Sequence, residues 1–225
     1  MTDTQPPAPL PSIAYIDEEA DARDDFETDA FQSGLFGTIH ALAPEPDLDA
    51  MVDALLELKI DAVISDFRLT AAGPVGYTGE ALVNAFLAKR AGFPCFIQTS
   101  VDDLALKAAD DVNRVYSKNP SADTGGREMF FRRIVLQIER HHARLAEWRE
   151  ELEKLLAIDR AKLSEADIDR IVELDQAVEE YFGLDGAASR RTKRNVLSDA
   201  KLMEREDALI AETEKLIAAM RGALE

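Results

Sequence analysis

The sequence is poor in the residues that build cross-links and metal cages. It has one cysteine, Cys95, three histidines and one tryptophan. A lone thiol makes no intramolecular disulfide and no thiolate metal site, so the chain reads as a protein of the reducing cytoplasm. No apolar run approaches the roughly 20 residues that a membrane-spanning helix needs, and no membrane partner is expected. Met1 to Pro11 lacks the basic start and apolar stretch of a secretory signal; it is polar and Pro-rich, and reads as a short disordered tail, residues 1–11. Positive charge is also scarce: 26 Lys and Arg stand against 44 Asp and Glu, a formal net charge of −18. Such a balance repels nucleic-acid phosphate, so the reading expects no DNA partner and disfavours RNA.

What is present points to two regions. Hydrophobic residues make up 46% of 225, enough for a sizeable core in one large or two small domains. Residues 1–125 hold 8 basic and 22 acidic side chains, against 18 and 22 in residues 126–225. The first part is acidic and the second mixes both signs, which places a boundary near residue 125.

From Ser12 to Lys118 short apolar runs alternate with helical patterns. Strands are expected at Ile13–Ile16, Phe36–Ala43, Ala62–Ser65, Pro94–Gln98 and Val112–Tyr116. Helices are expected at Ala20–Ser33 (ended by Gly34), Asp47–Lys59, Thr78–Ala91 and Asp102–Asp111. This order predicts an α/β fold, a five-stranded doubly wound parallel sheet covered on both faces. Ligands in such sheets lie at the carboxyl ends of the strands.

Beyond Gly126 the pattern is helical. Phe131, Ile134, Ile138, His141, Leu145, Trp148, Leu152 and Leu155 are spaced alternately by three and four, a heptad seam that predicts a long helix paired with another helix. A second helix is expected from Ser164 to Phe182, opened by the capping box Ser164-Glu165-Ala166-Asp167 and followed by Gly183. A third runs from Ala188 to Leu224, with Val196, Met203, Ile210, Ile217 and Leu224 at seven-residue intervals. Residues 123–225 are therefore read as an all-α bundle or coiled-coil domain, with a homodimer as its expected state.

Four polar features follow strands: Asp17-Glu18, Asp66, Thr99-Ser100 and Lys118. They make chemical sense as one site. A carboxylate can attack phosphorus and become an acyl phosphate. Its approach to a phosphoryl donor is repulsive unless a cation intervenes, and Mg²⁺ takes oxygen ligands from one or two carboxylates while keeping waters. Asp17, Glu18 and Asp66 offer carboxylates, and the Arg68 carbonyl a further oxygen. Lys118 supplies a point charge, Thr99 a hydroxyl donor, and Ser100 leaves room for the incoming group.

The runs Ile16-Asp17-Glu18, Ser65-Asp66-Phe67-Arg68-Leu69, Pro94 to Ser100 and Tyr116-Ser117-Lys118 together resemble the signature of bacterial response-regulator receiver domains. The resemblance covers residues 12–122, about half the chain. It implies a flavodoxin-like fold, Mg²⁺ as cofactor, and a sensor histidine kinase that phosphorylates Asp66 with Thr99 and Lys118 assisting. It also implies a stoichiometric phosphoacceptor with self-dephosphorylation rather than an enzyme, and the heptad seam motivates the expectation that phosphorylation changes how the helical region pairs or which protein effector it binds. The chain departs from the signature in three places. Thr70 stands where Pro is usual, and residues 71–77 lengthen the loop. Lys118-Asn119-Pro120 replaces Lys-Pro. Val115 occupies the position of the switch aromatic, with Tyr116 offset by one onto the other strand face.

Simpler roles exist for each residue. Asp17 and Glu18 suit the first turn of a helix, Thr99 and Ser100 suit a cap, and Lys118 alone is a surface lysine. His141 lies in the seam, which favours packing over phosphotransfer by His141 or His142. Arg190, Arg191, Lys193 and Arg194 read as a solvated helix start or a protein contact. Rival readings of the whole are a receiver-linked RNA-binding antiterminator, a receiver with a histidine phosphotransfer module, and a receiver that serves as an unphosphorylated scaffold.

Overall fold

The computed structural model describes residues 9–70, 75–100, 112–118, 126–159, 162–183 and 192–197. The expected helix at 102–111, most of the N-terminal tail, and nearly all of the helix at 188–224 lie outside these. The chain divides into two compact units, Met1–Ala143 and Arg144–Glu225.

The first unit contains β1 (Ser12–Ile16), α1 (Ala20–Ser33), β2 (Thr38–Leu42), α2 (Leu48–Glu57), β3 (Ala62–Asp66), α3 (Gly79–Lys89), β4 (Cys95–Thr99), β5 (Val115–Ser117) and the start of α4 (Gly126–Leu156). The five strands form one parallel sheet in the order β2-β1-β3-β4-β5. This is the flavodoxin-like order, with its switch point between β1 and β3. Val112–Arg114, expected within a strand, is a 3-10 turn, and β4 pairs only from Val115 onward.

Strand alternation distributes the core. Ala14, Ile16, Val63, Cys95 and Ile97 face Met51, Val52 and Leu55 of α2 and Leu82, Val83 and Phe86 of α3. Ile13, Tyr15, Ile64 and Phe96 face Phe26 and Ala30 of α1 and Phe130, Phe131, Ile134 and Ile138 of α4. Each such buried side chain contributes about 1.5–3 kcal/mol of transfer free energy, which holds both helical layers to the sheet. Local signals set the helix ends. Asp47 and Thr78 cap α2 and α3 by accepting from Ala50 and Ala81 N–H, and Gly34 closes α1 with a left-handed φ of 64°.

The heptad seam of α4 serves two purposes. Phe131, Ile134 and Ile138 are buried on the sheet face beside Phe130, and His141 is buried with its ring edge-on to Phe93 at 5.6 Å. This part of the helix is a layer of the first compact unit, Met1–Ala143. In the second unit, Leu152 and Leu155 pack on Leu163, Ile168 and Ile171 at the start of α5 (Glu165–Phe182). The capping box is present: Ser164 Oγ accepts from Asp167 N–H, and Asp167 Oδ2 accepts from Ser164 N–H. Arg170 forks onto Glu151 with bonds of 2.8 and 2.7 Å. Lys193 and Arg194, from the basic cluster, pair with acids of α5: Lys193 with Asp175 and Glu179, and Arg194 with Glu165 and Asp169. Exposed pairs of this kind contribute little singly.

One close approach positions α3 against the strand that carries Asp66. A Cβ on Gly79 would lie 1.8 Å from the Asp66 carbonyl oxygen and 2.6 Å from Ser65 Oγ. Gly79 N–H also donates to the Phe67 carbonyl at 3.0 Å. Gly79→Ala must push α3 off the end of β3, and overpacking of this kind costs about 3 kcal/mol. A urea titration is expected to show a lower unfolding midpoint for the variant with unchanged slope.

Candidate functional site

Each of the four polar features lies where a strand ends. Asp17 follows β1, Asp66 ends β3, Thr99 ends β4 and Lys118 follows β5. The parallel register carries all four to the same sheet edge. Asp66 lies opposite Gln98, and Thr99 lies opposite Ser117. Backbone bonds lock the ends together: Phe67 N–H donates to the Gln98 carbonyl at 2.8 Å, and Lys118 N–H donates to the Thr99 carbonyl at 2.8 Å.

The centre of the site is Lys118. Its Nζ lies 2.7 Å from Asp17 Oδ2 and 2.7 Å from Asp66 Oδ1, with both carboxylates almost wholly buried. Burial pulls the Lys118 ammonium down, but its hydrogen bonds to Asp17 and Asp66 and their charges outweigh this and hold it above the usual lysine value. The other oxygens of the pair are also occupied. Arg68 N–H donates to Asp66 Oδ2 at 2.5 Å, and Glu19 N–H donates to Asp17 Oδ1 at 2.9 Å. Arg68 thus meets the site through its N–H, while its side chain is exposed. Thr99 is buried and Ser100 exposed at the rim.

Glu18 is the member left over. Its Oε2 is buried without a hydrogen-bond partner. Burial, together with the charges of Asp66 and Asp17, pushes its carboxyl up to about 7 from 4.5. Among the described residues, no three His, Cys, Asp or Glu side chains converge closely enough to form a metal cage. The expected set of Asp17, Glu18 and Asp66 is therefore near one place without closing on one point, because Lys118 lies between Asp17 and Asp66. Donor type and charge nonetheless fit a hard divalent cation. With Glu18 ionised, three carboxylates against one ammonium leave two negative charges, and one buried oxygen has no partner.

Reading the sequence alone missed three supports. Tyr15 donates its hydroxyl to Asp17 Oδ2 at 2.5 Å, Arg23 Nη1 donates to the Asp17 carbonyl at 2.7 Å, and Gly79 admits α3 beside Asp66. The signal for Tyr15 was available, since residues i and i+2 of a strand share a face. Of the departures, Tyr116 packs at 5.1 Å from Phe130 on the α1–α4 face, whereas Val115 packs on the α2–α3 face. The lengthened loop returns to the core through buried Val75 and Tyr77, whose hydroxyl donates to the Glu45 carbonyl at 2.6 Å. Residues 71–74 and Asn119-Pro120 lie outside the described residues. His141 is packed in the first unit, and His142 Nε2 lies 3.1 Å from Asp61 Oδ1.

No family model matches the sequence, and no curated protein matches it. The solved structures that align with it include response regulators. One is the two-component response regulator RcsB in complex with DNA, at 12% identity over 84% of this chain and 98% of that one, with a TM-score of 0.41. Another is the RcsB response regulator of Salmonella typhimurium, at 12% identity over 85% and 98%, with a TM-score of 0.41. NtrX from Brucella abortus aligns at 15% identity over 76% of this chain and 40% of its own, with a TM-score of 0.42. Alignments this loose carry no information about which residues act here. They do correct one expectation. The exclusion of DNA is withdrawn, because the aligned response regulators include RcsB bound to DNA. Net charge summed over a chain does not report a local surface, and residues 126–225 alone carry 18 basic side chains.

The Glu18 shift has a sign that can be tested. With a folded value near 7 and an unfolded value of 4.5, the native protein binds more protons than the unfolded chain between those pH values. Ionised Glu18 therefore lowers stability as pH rises through 7. In EDTA, Glu18→Gln is expected to raise the thermal midpoint at pH 8 and to change it much less at pH 4.5. Equal shifts at both pH values would show that Glu18 is not held up by its surroundings.

Proposed function

We propose that this chain is a response regulator whose Asp66 accepts a phosphoryl group from a partner histidine kinase in a Mg²⁺-dependent reaction. The observation that carries the reading is the Lys118 bridge. One ammonium from the end of β5 reaches carboxylates at the ends of β1 and β3, each within 2.7 Å. A structural surface lysine has no reason to cross three strand ends to two buried acids. A phosphoacceptor site does, because it must hold an anionic nucleophile and then an anionic product in the same place.

In the proposed reaction, an Asp66 carboxylate oxygen attacks phosphorus in line with the leaving imidazole. A P–O bond forms, the P–N bond of the donor breaks, and the imidazole leaves with its electron pair and takes up a proton. Asp17, Glu18 and Asp66, with the Arg68 carbonyl, would hold Mg²⁺, which offsets charge on the transferring group. Lys118 is already beside Asp66 and exchanges one of its carboxylate partners for a phosphoryl oxygen. Thr99, at the end of β4, lies on the adjoining strand end from which a hydroxyl can donate to the product. The chain itself is a stoichiometric acceptor, with self-dephosphorylation as its only turnover.

The output belongs to the helical region. The helix whose first half covers the sheet continues without a break into the second unit, α4 running from Gly126 to Leu156. In this reading a change in packing on the α1–α4 face alters how the helical region pairs or which protein it binds.

Incubation with acetyl phosphate and Mg²⁺ is expected to add one phosphoryl mass to the native chain and none to Asp66→Asn. Intact mass spectrometry reads this directly. Label retained in Asp66→Asn would move the acceptor elsewhere. Size-exclusion chromatography of both forms tests the output, since identical elution and identical partner capture would remove the coupling to the helices.

A further inference from the structure

Tyr15 is placed in the site in a way that the proposed chemistry does not require. Its ring is 2% exposed and stacks on Phe26 with centroids 3.9 Å apart and planes 6° from parallel. The stack fixes the ring, and the hydroxyl then donates to Asp17 Oδ2 at 2.5 Å. A buried tyrosine hydroxyl needs some partner, but this partner is already engaged. The same Oδ2 takes Lys118 Nζ at 2.7 Å, and Oδ1 takes Glu19 N–H at 2.9 Å. Asp17 has no exposed surface, so water does not compete for these positions.

Two donors on Oδ2 and one on Oδ1 have consequences. Oδ2 has both lone-pair directions filled, while Oδ1 has one left. Among the described residues, the open direction of the Asp17 carboxylate is therefore on Oδ1. Donors also withdraw charge from a carboxylate and make it a weaker ligand.

We infer that Tyr15 is a positioning residue of the acceptor site, whose hydroxyl occupies Asp17 Oδ2 and restrains how tightly that carboxylate holds a divalent cation. The inference rests on the reading of the site as a Mg²⁺-dependent acceptor. Weak binding suits a site whose cation must leave room for the arriving phosphoryl group. Tyr15→Phe keeps the ring and its stack and removes only the donor. The loss leaves a fully buried carboxylate with one fewer partner, and a cation becomes its best replacement.

The test is calorimetric titration of Mg²⁺ into the native chain and Tyr15→Phe, with thermal unfolding of both in EDTA. Tyr15→Phe is expected to bind Mg²⁺ about three- to tenfold more tightly, the range spanned by one hydrogen bond of ordinary net strength. In EDTA it is expected to unfold at a lower temperature. A merely structural tyrosine would move both in the same unfavourable direction, so this split is the signature. Mg²⁺ is also expected to perturb a tyrosine band in the near-ultraviolet difference spectrum of the native chain that is missing from Tyr15→Phe. Equal or weaker Mg²⁺ binding by a folded Tyr15→Phe would overturn the inference alone. No Mg²⁺ binding by the native chain would overturn the reading of the site, and the inference with it.

Discussion

The contact on which the site depends is the ammonium of Lys118 held between the buried carboxylates of Asp17 and Asp66. Two carboxylates at adjacent strand ends repel each other, and burial strengthens that repulsion by removing water. Breaking a buried pair of this kind costs about 3–5 kcal/mol, because one charge is left uncompensated. Three strands must therefore end at the right level for the bridge to form. The bonds from Phe67 N–H to Gln98 and from Lys118 N–H to Thr99 set that level. The parallel sheet is thus both the fold and the device that brings distant residues to one edge.

The same dependence explains which nearby residues tolerate little change. Gly79 leaves space for the Asp66 carbonyl, so the backbone at Asp66 is backed by the start of a helix rather than by solvent. Tyr15 and Arg23 hold Asp17 from its two chemically different ends, carboxylate and carbonyl. Glu18, by contrast, has a buried carboxylate oxygen with no hydrogen-bond partner, and burial with the charges of Asp66 and Asp17 raises its pKa. The site therefore contains a well-bonded pair, Asp17 and Asp66, and beside them an acid with one unbonded buried oxygen. In the proposed reaction, that division would let charge arrive and leave without moving Asp66.

The long helix α4 shows how one sequence pattern can serve two kinds of packing. Its seam repeats every three or four residues from Phe131 to Leu155, and that repeat states only that one stripe is apolar. Phe131, Ile134 and Ile138 cover a sheet, whereas Leu152 and Leu155 meet the helix α5. The flanking Phe130 distinguishes the two halves in retrospect. It widens the stripe to the breadth that a sheet face needs, beyond the narrow line of a helix pair.

Much of the α/β unit was legible in the sequence. Apolar runs of strand length, separated by capped amphipathic helices, allow few other folds, and α1 runs from Ala20 to Ser33 as its pattern states. The position of Asp17, Asp66, Thr99 and Lys118 after strands was also readable, because a parallel sheet puts every strand's carboxyl end on one side. What the residue order did not contain was distance. Whether Lys118 lies on Asp66, on Asp17 or between them depends on strand register and on the room left by Gly79, and neither is a local property. The partner of the α4 seam was likewise undetermined, since periodicity names a buried face but not what buries it. The sequence by itself determined which side chains stand at the strand ends and so the chemistry available. Only the tertiary structure decided that one lysine neutralises two acids and that a buried Glu18 oxygen is left without a hydrogen bond. Those outcomes rest on contacts across the sheet, as much as 101 residues apart along the chain.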